Sequence, residues 1–212
     1  MTVVPAVLIV ALAATSFAQD SNEFWPEVDF SARLSPAVRM ILVASVTRNR
    51  DSKYTEGTLG PQFDFKANKF ISFRTTYWHI ASMSHADEPY REDRFMEDAT
   101  LRFPLVGKLR GADRNRVDFR DIAGDWSTRY RNRLRFERPI ETSHELLPYI
   151  SAEATYDSRY DRWNRKEYTL GCELDLGGDS GLDFSFARQI DPQNPVKRLN
   201  AFGITWTVGL KL

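Results

Sequence analysis

Two classes of side chain alternate without exception along residues 126–137, and this alternation limits the folds that the chain can adopt. The even positions carry Trp126, Thr128, Tyr130, Asn132, Leu134 and Phe136, and the odd positions carry Ser127, Arg129, Arg131, Arg133, Arg135 and Glu137. Successive side chains of a β-strand point to opposite faces of its sheet. A strand here has one largely apolar face and one face with four arginines. That combination is typical of a barrel strand that separates lipid from a polar lumen.

The rest of the chain continues as segments in which apolar and polar residues alternate, with no convincing helical period. Many of these segments match the roughly 9–11 residues that a tilted strand needs to cross a bilayer. Because bacterial single-chain barrels have even strand numbers, we expect an all-β, antiparallel transmembrane β-barrel of about 12 strands, with about 10 as the alternative. The predicted segments are 28–34, 37–47, 55–65, 70–80, 94–104, 115–122, 126–137, 147–157, 166–176, 181–189 and 199–211.

The N-terminus differs from the rest of the chain. Residues 3–14 are almost wholly apolar, and Ser16-Phe17-Ala18 places small residues at the positions that precede a signal-peptidase cut. The apolar run is shorter than the roughly 20 residues of a membrane-spanning helix. We therefore predict a cleaved signal peptide at 1–18 and a barrel domain at 19–212, the alternative being a short membrane anchor or a buried helix.

Composition excludes several classes of function. The 29 basic and 29 acidic residues cancel, which argues against a nucleic-acid partner. Cys172 is the one cysteine, so no intramolecular disulfide is possible. The sequence has no Cys/His spacing for a metal and no glycine-rich phosphate loop after a strand. We expect no cofactor and no metal site.

The arginines of 126–137 predict a charged interior. If the aromatic face meets lipid, the four guanidiniums line the lumen and need carboxylate partners from nearby strands. The predicted lumenal set is Arg129, Arg131, Arg133, Arg135, Asp118, Glu153, Asp157, Glu167, Glu173 and Asp175. The predicted lipid-facing set is Trp126, Tyr130, Phe136, Tyr168, Phe202 and Trp206. Such a network either fills and braces the barrel or lines a path for an anionic solute, and the balance of charges favours the structural interpretation.

The chain also resembles a family of predicted bacterial outer-membrane barrels, the domain-of-unknown-function 2490 family. The likeness rests on the opening from Phe24-Trp25 to Arg33, on Arg-Tyr-Arg-Asn-Arg-Leu-Arg-Phe at 129–136, on Leu-Pro-Tyr-Ile-Ser-Ala-Glu at 147–153 and on the closing Gly-Ile-Thr-Trp. It extends over essentially the whole mature chain. The resemblance implies a Gram-negative outer-membrane location and carries over no catalytic residues.

We therefore expect a monomeric outer-membrane protein with a structural role or a narrow path for small solutes. Its expected partners are outer-membrane lipid, lipopolysaccharide and the barrel-insertion machinery. One alternative is a periplasmic lipocalin-like lipid-binding barrel, with the aromatic residues inside and the arginines in water. The other is a lipid-acting hydrolase that uses His79, His85 or His144 as its base, but the sequence shows no assembled nucleophile and base, so we expect no enzyme activity.

Overall fold

The computed structural model describes residues 21–49, 55–83, 90–141, 145–193 and 197–211, and it confirms the all-β fold class. None of these residues belongs to a helix that is long and apolar enough to span a bilayer. The predicted signal peptide at 1–18 lies outside the described residues. The strands are β1 (Ser21–Arg33), β2 (Val38–Asn49), β3 (Thr55–Lys66), β4 (Ile71–Ser82), β5 (Arg91–Pro104), β6 (Arg110–Ile122), β7 (Asp125–Glu137), β8 (Ile140–Glu141), β9 (Glu145–Asp157), β10 (Arg162–Gly177), β11 (Ser180–Ile190) and β12 (Arg198–Leu210).

The long strands form one continuous sheet that closes on itself. From β1 to β7, and then from β9 to β12, each long strand pairs antiparallel with the next, and β7 pairs with β9. The two-residue strand β8 pairs only with β9 at the rim. The described residues thus contain twelve strands, as expected, but eleven of them close the barrel and β8 is an addition.

The seam of the barrel is a parallel pair. Strands β1 and β12 run in the same direction, in register from Ser21 opposite Leu199 to Ala32 opposite Leu210. Strand directions alternate along a meander, so the first and last of eleven strands must point the same way. The parallel seam is therefore the geometric consequence of an odd number of closing strands.

The strands sort their side chains between the interior and the outer wall as their alternation predicts. The interior holds charged and polar side chains that are almost fully buried, among them Glu92, Asp118, Arg120 and Asp157. The outer wall carries large exposed hydrophobic side chains on nearly every strand, with Trp126 75% exposed. Soluble proteins have the opposite arrangement, with apolar groups inside and charges outside.

Candidate functional site

The charged interior is concentrated between β5 and β10, where the pairing register brings arginines opposite carboxylates. Arg129 on β7 lies between Asp118 on β6 and Asp157 on β9, and Arg133 lies opposite Glu153. Because inward residues recur at every second position, one strand supplies several charges to the same interior. The alternation that makes β7 a barrel strand therefore also builds its ladder of arginines.

One cluster surrounds Asp157, the last residue of β9. Its Oδ2 atom accepts hydrogen bonds from Arg129 Nε at 2.6 Å and from Arg159 Nη2 at 2.8 Å, and Arg120 Nη1 lies 3.8 Å away. Arg159 belongs to the turn that follows β9, and its hydrogen bond to Asp157 raises the pKa of its guanidinium above the usual range. Three arginines therefore share one fully buried carboxylate at this end of the barrel.

A second cluster lies halfway along the strands. Arg131 Nη2 is 3.0 Å from Asp118 Oδ2, and Arg131 Nη1 is 3.6 Å from Glu153 Oε1. Glu153 Oε2 also accepts a hydrogen bond from Arg114 Nη2 at 2.6 Å. Neither Asp118 oxygen has a hydrogen-bond partner among the described residues, although both are buried. The ion pair with Arg131 is thus the contact that compensates the Asp118 charge.

The third cluster lies towards the opposite end of the strands. Arg135 Nη2 donates to Glu173 Oε1 at 2.6 Å, and its guanidinium carbon lies 3.7 Å from the centre of the Tyr149 ring. The Tyr149 hydroxyl in turn donates to Asp183 Oδ2 at 2.9 Å. This cluster joins β7, β9, β10 and β11 across the interior.

Three predicted lumenal residues have other surroundings. Within the described part of the chain, Arg133 makes no ion pair, although Glu153 is its cross-strand neighbour. Glu167 accepts a hydrogen bond from Gln189 Nε2 at 2.6 Å. Asp175 accepts one from the backbone N–H of Gly177 at 2.7 Å, so it caps a turn.

The structure adds charged residues that the predicted lumenal set omits. Arg116 binds Asp98 through two hydrogen bonds of 2.5 and 2.7 Å, and both side chains are buried. Glu92, which has no exposed surface, accepts hydrogen bonds from Arg120 Nε at 2.5 Å and Arg94 Nε at 2.7 Å. The sequence does contain a pattern that indicates these residues, because charges recur at even positions of 92–98 and 110–120. The alternation is weak there, since the odd positions of those segments are also partly polar.

The predicted lipid-facing residues lie on the outer wall. Trp126, Tyr168, Phe202 and Trp206 are exposed, and Tyr130 and Phe136 are partly exposed on the same face as Trp126. The wall is not uniformly apolar: a polar patch on β4–β7 consists of Thr75, Glu97, Asp113, Asn115 and Asn132. These groups hydrogen-bond to one another, Thr75 to Glu97 at 2.7 Å and Asn132 to Asp113 at 2.6 Å.

The histidines offer no assembled catalytic site among the described residues. His79 Nδ1 lies 2.8 Å from Asp93 Oδ1, which also accepts a hydrogen bond from the Tyr77 hydroxyl at 2.7 Å. No described serine or threonine is hydrogen-bonded to the His79 ring, and no described group of side chains could hold a metal ion. His85 and His144 lie outside the described residues.

Comparison with known proteins places the chain in a family. Residues 22–200 match the family model described as "Protein of unknown function (DUF2490)". The chain belongs to this family. No curated protein matches. Among solved structures, the chain is similar to the β domain of the Bordetella autotransporter BrkA, with a TM-score of 0.54, 14% identity, and coverage of 84% of this chain and 83% of that one. At that identity the likeness concerns the fold alone, and it agrees with the closed barrel.

Proposed function

We propose that this protein is an outer-membrane β-barrel of a Gram-negative bacterium, with an Arg–carboxylate network that crosses and braces its lumen. The observation that carries the proposal is the reversed distribution of side chains. Exposed aromatic and aliphatic residues surround the barrel, while ion pairs lie buried inside it.

The energetics of the outer wall support this location. Each Å² of apolar surface that leaves water gains about 25 cal/mol. Side chains such as Trp126, Phe202 and Trp206 lose half or more of this gain while they face water, because that share of their surface remains exposed. In a bilayer the same side chains meet hydrocarbon, and the closed sheet leaves no unpaired edge of N–H and C=O groups in lipid.

The interior supports a structural role, with a narrow path at most. Buried charges from β5, β6, β7 and β9 fill one side of the lumen, where Glu92, Asp118 and Asp157 have no exposed surface. The opposite side is lined by small residues of β11 and β12, including Gly181, Gly203 and Thr205. A barrel of about this size has little free width once side chains occupy it.

Semi-native electrophoresis combined with membrane fractionation tests the proposal. The protein should sediment with the outer membrane and show a faster-migrating band before boiling than after it, because a closed barrel resists detergent. Planar-bilayer recordings of the folded protein should then show small conductance steps or none. A freely soluble periplasmic protein with a single band would overturn the membrane location.

Neither alternative function has comparable support. A lipocalin-like barrel needs an apolar interior, whereas the described interior holds many buried charges and most of the large aromatic side chains are exposed on the outer wall. A hydrolase needs a nucleophile beside its base, and His79 has only Asp93 as a described hydrogen-bond partner. We therefore propose a monomer without enzyme activity, inserted by the outer-membrane assembly machinery and surrounded by outer-membrane lipid.

A further inference from the structure

The outer wall contains an elongated apolar groove over strands β7, β9, β10 and β11. Two adjacent rows of cross-strand neighbours line it, and its volume is 410 Å³. One row is Leu134, Ala152, Tyr168 and Arg188, and the other is Phe136, Ile150, Leu170 and Phe186. The small Ala152 side chain lies between larger neighbours and forms the floor. Since adjacent strands are about 4.8 Å apart, the groove extends roughly 15 Å across four strands.

The groove runs obliquely from one rim of the barrel towards the other. Arg188 lies two residues before the end of β11, next to the connection 191–197. Leu134 lies near the opposite end of β7, beyond the middle of the wall. A chain-like molecule in this groove would therefore have one end at the rim and the other deep beside the barrel wall.

Two cations mark the rim end of the groove. Arg188 lines the groove and donates a hydrogen bond through Nη1 to Asn200 Oδ1 at 3.1 Å. Lys166 is exposed on the same face, one outward position above Tyr168. In the register of β10 and β11 the two cations are diagonal neighbours, close enough for long side chains to reach one anion. Lys166 has no ion pair with any described residue.

We infer that this groove is a binding site for a phosphate-bearing acyl lipid. One acyl chain lies along the two rows and passes over the small side chain of Ala152. Lys166 and Arg188 bind the lipid phosphate at the rim. This inference rests on the proposed membrane location and adds a specific lipid site to it.

The chemistry of the groove selects this occupant. The lining from Leu134 to Leu170 is mostly apolar, which suits a hydrocarbon chain and offers few hydrogen-bonding groups to a peptide backbone. The two positive charges stand at one end only, where an amphipathic lipid carries its negative charge. Phosphate oxygens form charge-assisted hydrogen bonds with guanidinium and ammonium groups, which are stronger than neutral ones.

The test measures lipid retention by native mass spectrometry of the protein purified from membranes in a non-ionic detergent. The probes are dioleoyl phosphatidylglycerol and dioleoylglycerol, which has the same chains without the phosphate. We expect the wild type to retain phosphatidylglycerol about tenfold more strongly than dioleoylglycerol, and we expect Lys166→Gln/Arg188→Gln to remove that preference. Ala152→Phe, which fills the groove with an apolar side chain, should remove retention of both lipids.

Matched variants on the opposite wall provide the controls. Arg48→Gln removes an outward cation near the same rim, and Ala44→Phe enlarges a small outward residue; both should retain lipid like the wild type.

Equal retention of the two probes by the wild type, or unchanged retention in the groove variants, would overturn the inference. Displacement of phosphatidylglycerol by millimolar sodium phosphate would also overturn it, because the site would then bind free anions. A wild type that lacks the faster unboiled band refutes the proposed function itself, whereas one that has the band but lacks lipid preference refutes only the lipid site.

Discussion

Asp118 is a buried charge that depends on a single ion pair with another described residue. It has no exposed surface, and its compensating contact is the 3.0 Å ion pair with Arg131. Removing one member of a buried pair costs about 3 kcal/mol, because the remaining charge stays buried without a partner. We therefore expect Arg131→Ala to lower the free energy of unfolding by about that amount, measured by urea titration of the detergent-folded protein through tryptophan fluorescence.

Arg133 provides the matched control on the same face of β7. It makes no ion pair with a described residue, so Arg133→Ala should cost much less than Arg131→Ala. Adding Asp118→Asn to Arg131→Ala should restore part of the lost stability, since the orphaned charge is then absent. Equal losses for the two single arginine variants would show that the specific pair with Asp118 does not matter.

The two-residue turn between β6 and β7 contains a strained residue. Ala123 has a φ of 53° and Gly124 a φ of 99°, the combination of a type I′ turn, for which asparagine and glycine are the favoured residues. A left-handed conformation costs an alanine roughly 1 kcal/mol because its Cβ approaches the backbone. We expect Ala123→Gly to raise the unfolding free energy by about that amount in the same urea titration, and Gly124→Ala to lower it. A stabilising Gly124→Ala would contradict this account of the turn.

At the scale of elements, β9 and β10 fit together through a tyrosine that lies over a glycine. Gly171 is the cross-strand neighbour of Tyr149, and a Cβ on Gly171 would lie 2.4 Å from the Tyr149 ring. Gly171→Ala should displace the ring from Arg135 and Asp183 and cost about 2 kcal/mol, in the range of overpacked cores. Thermal melting by circular dichroism measures the loss. The same substitution in a Tyr149→Ala background should cost little, and an equal cost in both backgrounds would exclude the clash as its cause.

Most strands could be predicted from the sequence because their two faces differ in polarity. The exceptions are the beginnings of β1, β6 and β10, which start at Ser21, Arg110 and Arg162, four to seven residues before the predicted segments, and the two-residue strand β8, which was not predicted. In 110–114 the outward positions are Gly111 and Asp113, so no apolar face marks the strand. The partners of individual arginines could not be predicted, because they depend on the register between strands and on side-chain reach. Arg133 and Glu167 show this: both face inward, and neither forms an ion pair with a described residue.

At the scale of the whole molecule, the strand count and the seam determine each other. The sequence contains eleven long alternating segments, and the even-number rule for bacterial barrels favoured a further crossing strand. In the structure the extra strand is the short β8, and the eleven long strands close through the parallel pair of β1 and β12. A twelfth crossing strand would instead require an antiparallel seam, so the direction of this one pair distinguishes the two architectures.

A disulfide across the seam tests its direction and register. Val28 pairs with Trp206, and neighbouring strands are about 4.8 Å apart, which is within disulfide reach. In a Cys172→Ser background, Val28→Cys/Trp206→Cys should oxidise to an intramolecular cross-link that prevents the full mobility shift on boiling until reductant is added. Val28→Cys/Phe202→Cys is the control, because its second cysteine lies about 13 Å away along β12. Cross-linking of the control in preference to the test pair would mean that the barrel closes in another register, whereas no cross-link in either variant would mean that another strand lies between β12 and β1.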